Sequence, residues 1–219
     1  MNPDYENAAL QATRILIRDG INSSPISPLP ILKHTPGVIV LSYEDLSRCL
    51  DQDRSSLMSV FGERNQDAFT TVNLKDGHLQ YVVTYNQRLS QVIVQRALAR
   101  ELGHIVLGHD GSRPEEVRNA EAVCFAHHLL CPRPLLRLVQ ASGLRFTIEV
   151  LGNLTGCYDH CLTCMRHIPG VAVPPELNRA VRDQFKDFFV NFFCYQRTAS
   201  LDDGSALFDF GTYMDCYEE

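Results

Sequence analysis

The segment RALARELGHIVLGHD, residues 96–110, places a carboxylate and an imidazole three residues apart, at Glu101 and His104. On a helix that spacing brings both side chains to one face. The complete form of the arrangement is H-E-x-x-H, in which two histidines one turn apart grip a zinc ion. The glutamate then polarises a metal-bound water as general base. Here the first histidine position holds Arg100. A guanidinium stays charged at physiological pH and offers only donors, so it cannot ligate a cation. Glu121, 17 residues beyond His104, supplies a further carboxylate of the kind that completes such a site from a following helix. The ligands available in place are therefore His104 and Glu121, with Glu101 as the candidate base.

These residues need elements to position them. Apolar positions from about Tyr5 to Ile17 recur at helical spacing and end at Gly20. Val38 to Leu41 form a short apolar strand leading to a helix start at Ser42. Two β-rich arms flank Asp76-Gly77, a dipeptide suited to a tight hairpin turn, with Leu79, Tyr81, Val83 and Tyr85 on one face. Ser90 is placed to cap the helix that carries the motif. On that helix Val94, Leu98, Leu102 and Ile105 form the packing stripe. Ala97, Arg100, Glu101, His104 and Gly108 share the adjacent face. Ser112 and Glu115 have capping-box spacing, with Pro114 in the first turn, and the helix they begin runs to about Cys131 and carries Glu121, Cys124 and His128 on one face.

With the hairpin, the motif helix and the Glu121 helix in order, the chain resembles the ImmA/IrrE family of bacterial metallopeptidases. The resemblance rests on Tyr85-Asn86, on Glu101, Leu102, Gly103, His104, Gly108 and His109, and on Glu121, Ala122, Phe125, Ala126, Leu129, Leu130 and Pro132. It covers roughly residues 5–170 and is strongest from Tyr81 to Pro132. It implies an α+β, zincin-like fold, zinc chemistry, and action on helix-turn-helix repressors within mobile elements or damage responses. Three departures stand out: Arg100 for the first zinc histidine, Val123 for an asparagine and Cys131 for a methionine. A site reduced to His104 and Glu121 would hold zinc weakly. The expected outcome is that Arg100 takes the metal's place and pairs with Glu121 or Glu101, leaving a metal-free site.

Other groups could rescue a metal. His109 points about 140° from His104 on a continuing helix and returns only if the helix ends at Gly108. His128 and Cys124 share a face with Glu121; the reading is a core thiol and a surface or partly buried imidazole, with His127 solvated. Cys157, His160, Cys161, Cys164 and His167 form a dense cluster without paired C-x2-C knuckles, and the cysteines fit a buried helical stripe of small residues. Phe185, Phe188, Phe189, Phe192 and Phe193 read as a helix docked on the core, or as a homodimer face.

The chain has 219 residues, 45% hydrophobic and 21% charged, with formal net charge −6. It lacks the basic stripe of a duplex-binding surface and any apolar run of membrane-spanning length, so direct nucleic-acid and membrane partners are not expected. No secretory signal is evident, which points to the cytoplasm and to free or metal-bound cysteines. The expected organisation is a metallopeptidase-type domain over 1–142, a helical region over 143–195 and an acidic tail over 196–219. The leading function is a catalytically impaired bacterial or phage regulator that binds a protein such as a repressor. The alternatives are an active zinc endopeptidase with Glu101 as base and His109 or His128 as substitute ligand, and a non-catalytic assembly protein.

Overall fold

Three short strands and a set of helices carry the site. The computed structural model describes residues 2–53, 56, 67–75, 77–144, 147–157 and 171–200. In chain order the elements are α1 (Tyr5–Arg18), α2 (Pro28–His34), β1 (Val38–Ser42), α3 (Tyr43–Leu50), β2 (Ala68–Lys75) and β3 (His78–Tyr85). There follow α4 (Gln91–Val106), α5 (Glu115–Leu130), α6 (Arg133–Ala141), α7 (Ile148–Thr155), α8 (Pro175–Gln184) and α9 (Lys186–Ser200). The architecture is α+β, mostly helical, as the sequence pattern indicates.

The sheet runs in the order β1-β3-β2, with β1 parallel and β2 antiparallel to β3. Lys75 pairs with His78, so the hairpin turn is two residues long, and Gly77 sits at φ +79° as such a turn requires. On one face Ala68, Thr70 and Val83 meet α4, while the same face continues into Val72, Leu74 and Leu79, which are exposed. Ser42 closes β1 and opens α3 through a reciprocal capping box with Asp45.

Helices α4 and α5 cross at close range because Gly103 has no side chain. A Cβ there would lie 3.0 Å from the Phe125 ring and 3.2 Å from both Cα and the carbonyl oxygen of Ala122. The packing stripe is as expected, with Leu98 and Leu102 fully buried and Val94 and Ile105 partly so. Helix α1 lies along α5 through the buried Ala8, Ala9 and Ala12. The phenylalanine helix docks on this same core. Phe185, Phe189 and Phe192 are buried, and the Gln184 amide, one residue ahead of Phe185, donates to the carbonyls of Leu16 (2.7 Å) and Ile21. Of the cysteine cluster only Cys157 falls among the described residues, where it is partly exposed. His160, Cys161, Cys164, His167 and residues 201–219 of the acidic tail lie outside them. No helix among the described residues is long and apolar enough to cross a membrane.

Candidate functional site

The site forms where the motif helix ends. Gly108 adopts φ +63°, its N–H bonds the Ile105 carbonyl (3.1 Å), and the His109 N–H bonds the His104 carbonyl (3.0 Å). This pair of bonds is a Schellman stop, in which the second residue past the helix packs against the residue five positions earlier. Here those two residues are His109 and His104. Their rings meet edge to face at 5.0 Å between centroids, with the two Nδ1 atoms 2.9 Å apart. The expectation that His109 points away fails for this reason: the helix does end at Gly108. A glycine just past a helical apolar pattern was the signal available in the sequence.

The far edge of His109 reaches α5, with Nε2 lying 2.9 Å from Glu121 Oε2. A deprotonated carboxylate only accepts, so His109 Nε2 carries the proton. His109 Nδ1 then accepts from His104 Nδ1–H, which leaves Nε2 of His104 as its acceptor. Both imidazoles are neutral. Burial, with nearby cationic groups on Arg100 and Arg118, pushes His104 down to about 4, and burial outweighs Glu121 in lowering His109.

Glu121 is only 2% exposed and its carboxylate is fully engaged. Oε1 accepts from the Asp4 N–H (2.6 Å) and Arg113 Nη2 (2.7 Å); Oε2 accepts from Arg113 Nη1 (2.8 Å) and His109. Burial alone would raise the Glu121 pKa. The hydrogen bonds from Asp4, Arg113 and His109 outweigh burial and hold it below the ordinary value, so Glu121 is an anion. Arg113 is aimed inward by its loop. A residue preceding proline disfavours helical backbone, so Arg113 before Pro114 cannot start the helix. The expected Ser112 capping box consequently does not form; Ser112 bonds Asp110, and Pro114 stands at the helix N-cap. The Arg118 Nε donates to the Arg113 carbonyl at 3.1 Å, which fixes the loop further.

Glu101 has a separate set of partners. Thr70 Oγ1 donates to its Oε2 (2.7 Å), and Arg100 Nη2 and Nε donate to Oε1 (3.0 and 3.3 Å). Burial raises the Glu101 pKa against the opposing pull of Arg100 and Thr70. Arg100 also reaches the Ala68 carbonyl at 3.3 Å. Of its two anticipated partners Arg100 therefore takes Glu101; Glu121 is paired with Arg113 instead. Arg113, Thr70 and the Asp4 amide were not singled out from the sequence. Asp4 contributes only a backbone group, which has no residue signature, and Arg113 lies in a loop with no periodicity to read.

The remaining candidates stand apart. His127 is 8% exposed and buried rather than solvated, and His128 is 4% exposed. Cys124 is a core thiol, pushed up to about 12 chiefly by burial, and so inert as a nucleophile. Burial also pushes His128 down to about 4, and its Nε2 is buried without a partner. Between pH about 6.5 and about 4 the unfolded chain thus binds a proton at this residue that the folded chain refuses. Stability should fall through that window as pH drops, by about 1.4 kcal/mol per pH unit from His128. His128→Leu should remove this slope and equal or exceed the parent at pH 7, since no unpaired nitrogen remains. Melting curves from pH 7 to 4.5 test it; an unchanged slope rules the account out.

A small mixed sheet packed against a helix bearing E-x-x-H, with a glutamate returned from the next helix, is the frame of a zincin-like metallopeptidase domain. The family model for the IrrE N-terminal-like domain (peptidase M78) matches residues 39–150, and the chain belongs to that ImmA/IrrE-type family. No curated protein and no solved structure matches it.

The donors do not fit the zinc ion this family implies. Arg100 has no lone pair, and all acceptor positions of Glu121 are taken. His109 meets His104 and Glu121 with opposite edges of its ring, so no single ion could be shared by all three. Among the described residues no cluster of three or more His, Cys, Asp or Glu side chains is arranged to hold a metal.

Proposed function

We propose that this chain is a catalytically impaired metallopeptidase-fold regulator of the bacterial or phage cytoplasm. On this reading it acts by binding a protein partner rather than by cutting it. One observation carries the proposal: Arg100, at the first-ligand position, spends its donors on Glu101 and on the Ala68 carbonyl. Hydrolysis of a peptide bond needs a water activated by a base and a group to stabilise the developing oxyanion. The candidate base Glu101 is instead tied to Arg100 and Thr70. A helix-turn-helix repressor is the partner class that the family relationship suggests.

The alternative of an active zinc endopeptidase draws support from one feature, the return of His109 to the side of His104. Metal analysis of the native purified protein beside His104→Ala separates the two. The binding reading expects no zinc that depends on His104, and an intact repressor co-purifying with the chain. About one zinc per chain, lost in His104→Ala, together with a cleaved repressor, would establish the enzyme.

A further inference from the structure

The two carboxylates of the site, Glu101 and Glu121, are paired with two separate guanidiniums. Glu101 is held by Arg100, and Glu121 by a two-pronged contact from Arg113 at 2.7 and 2.8 Å. The histidines between them are neutral. In a zinc site of this design the two carboxylates would face one dication. Here the same two negative charges are already neutralised by two fixed monocations.

We propose that Arg113 is the second half of the metal's replacement, and that it closes Glu121 to any divalent ion independently of Arg100. The inference rests on the reading of the site as metal-free and extends it. The loss of the first histidine explains one missing ligand. It does not explain why Glu121, buried and next to His109, cannot serve. Arg113 does explain this, because a bidentate guanidinium occupies one lone-pair position on each carboxylate oxygen. The other two positions go to His109 Nε2–H and the Asp4 N–H. An arriving cation would have to displace an arginine from a buried carboxylate and would then sit beside it, like charge against like charge. Restoring His at position 100 alone should therefore not rebuild a zinc site.

The test is a zinc chloride titration of the full chain in four forms: parent, Arg100→His, Arg113→Ala, and both substitutions together. Each is repeated with His104→Ala, so that binding by cysteines elsewhere is subtracted. The double variant should take up about one His104-dependent zinc per chain, roughly 30-fold or more tighter than Arg100→His alone, in keeping with the removal of a charged bidentate pair. Zinc should also raise the melting temperature of the double variant and leave that of Arg100→His unmoved, which keeps the test readable if the double variant is only marginally folded. Equal binding by Arg100→His and the double variant overturns the role of Arg113 and leaves the functional reading standing. A double variant that zinc neither binds nor stabilises also overturns it. His104-dependent zinc in the parent overturns the functional reading, and this inference with it.

Discussion

Arg113→Ala should lower the melting temperature by about 6–12 °C, although the residue lies in a loop and is 31% exposed. The reason is the partner it leaves behind. Glu121 is ionised and almost completely buried, and removing one member of a buried pair strands the other in a medium that solvates it poorly. Such losses run to about 3 kcal/mol. The Asp4 N–H and His109 Nε2–H would still bond Glu121, but both are neutral donors. Glu121→Leu lets Arg113 turn its partly exposed head to water but takes the acceptor from the buried His109 Nε2–H and from the Asp4 N–H, so it should destabilise as well. Arg113→Met with Glu121→Leu should recover only part of the loss, because the apolar pair removes the ion pair's desolvation penalty but leaves the buried His109 Nε2–H without its acceptor. A thermal double-mutant cycle gives the coupling directly. If Arg113→Ala melts within 2 °C or so of the parent, the pair is not holding the buried charge and the account of the site fails.

Of the three departures along the chain, Arg100 is the one that removes a metal ligand, and its reversal to histidine is the obvious repair. The folded site shows two arginines with divided roles, and the second was not legible in the sequence. The elements governed by local rules were legible: the two-residue hairpin at Gly77, the start of α3 at Ser42, the packing stripe of α4, and the Phe185–Phe193 helix as a docked element. Each is set by a period or by a turn residue acting over a few positions. Within the site, Glu101 and His104 were legible for the same reason, since helical spacing puts them on one face, whereas Glu121 comes from the following helix and was singled out by its distance beyond His104 and by the family pattern. The Arg113–Glu121 and Asp4–Glu121 contacts depend on how a loop and a distant helix end fall in three dimensions. Asp4 is 117 residues from its partner and contributes only an amide. His109 lies between these cases. Its position follows from a local rule, the glycine stop at Gly108, which outweighs the angle expected for a continuing helix. The Ser112 box failed through a second local rule that competes with the first, the restriction that Pro114 places on the backbone of Arg113 before it.

Gly103→Val should unfold the site frame more directly, at a cost of about 3 kcal/mol or more. Glycine inside a helix ordinarily lowers stability, so a bulkier residue would be expected to help. At Gly103 that gain is overridden. The first added carbon already meets the Ala122 backbone at 3.2 Å and the Phe125 ring at 3.0 Å, and a packed helix backbone cannot turn aside as a flexible side chain can. Valine adds two further carbons, so α4 and α5 must separate. Gly152, in α7, supplies the contrast: a Cβ there meets nothing within 4 Å, and Gly152→Ala should raise stability by up to about 1 kcal/mol. Opposite signs at two helical glycines, read from melting curves, would show that the α4–α5 approach and not helix propensity decides the outcome. The approach also sets the site, since His104 follows Gly103 in α4 and Glu121 precedes Ala122 in α5. Separating the helices should stretch the His104–His109–Glu121 chain and weaken the Arg113–Glu121 coupling measured in a Gly103→Ala background. A coupling unchanged in that background would mean that the loop, rather than the crossing of the helices, holds Arg113 on its carboxylate.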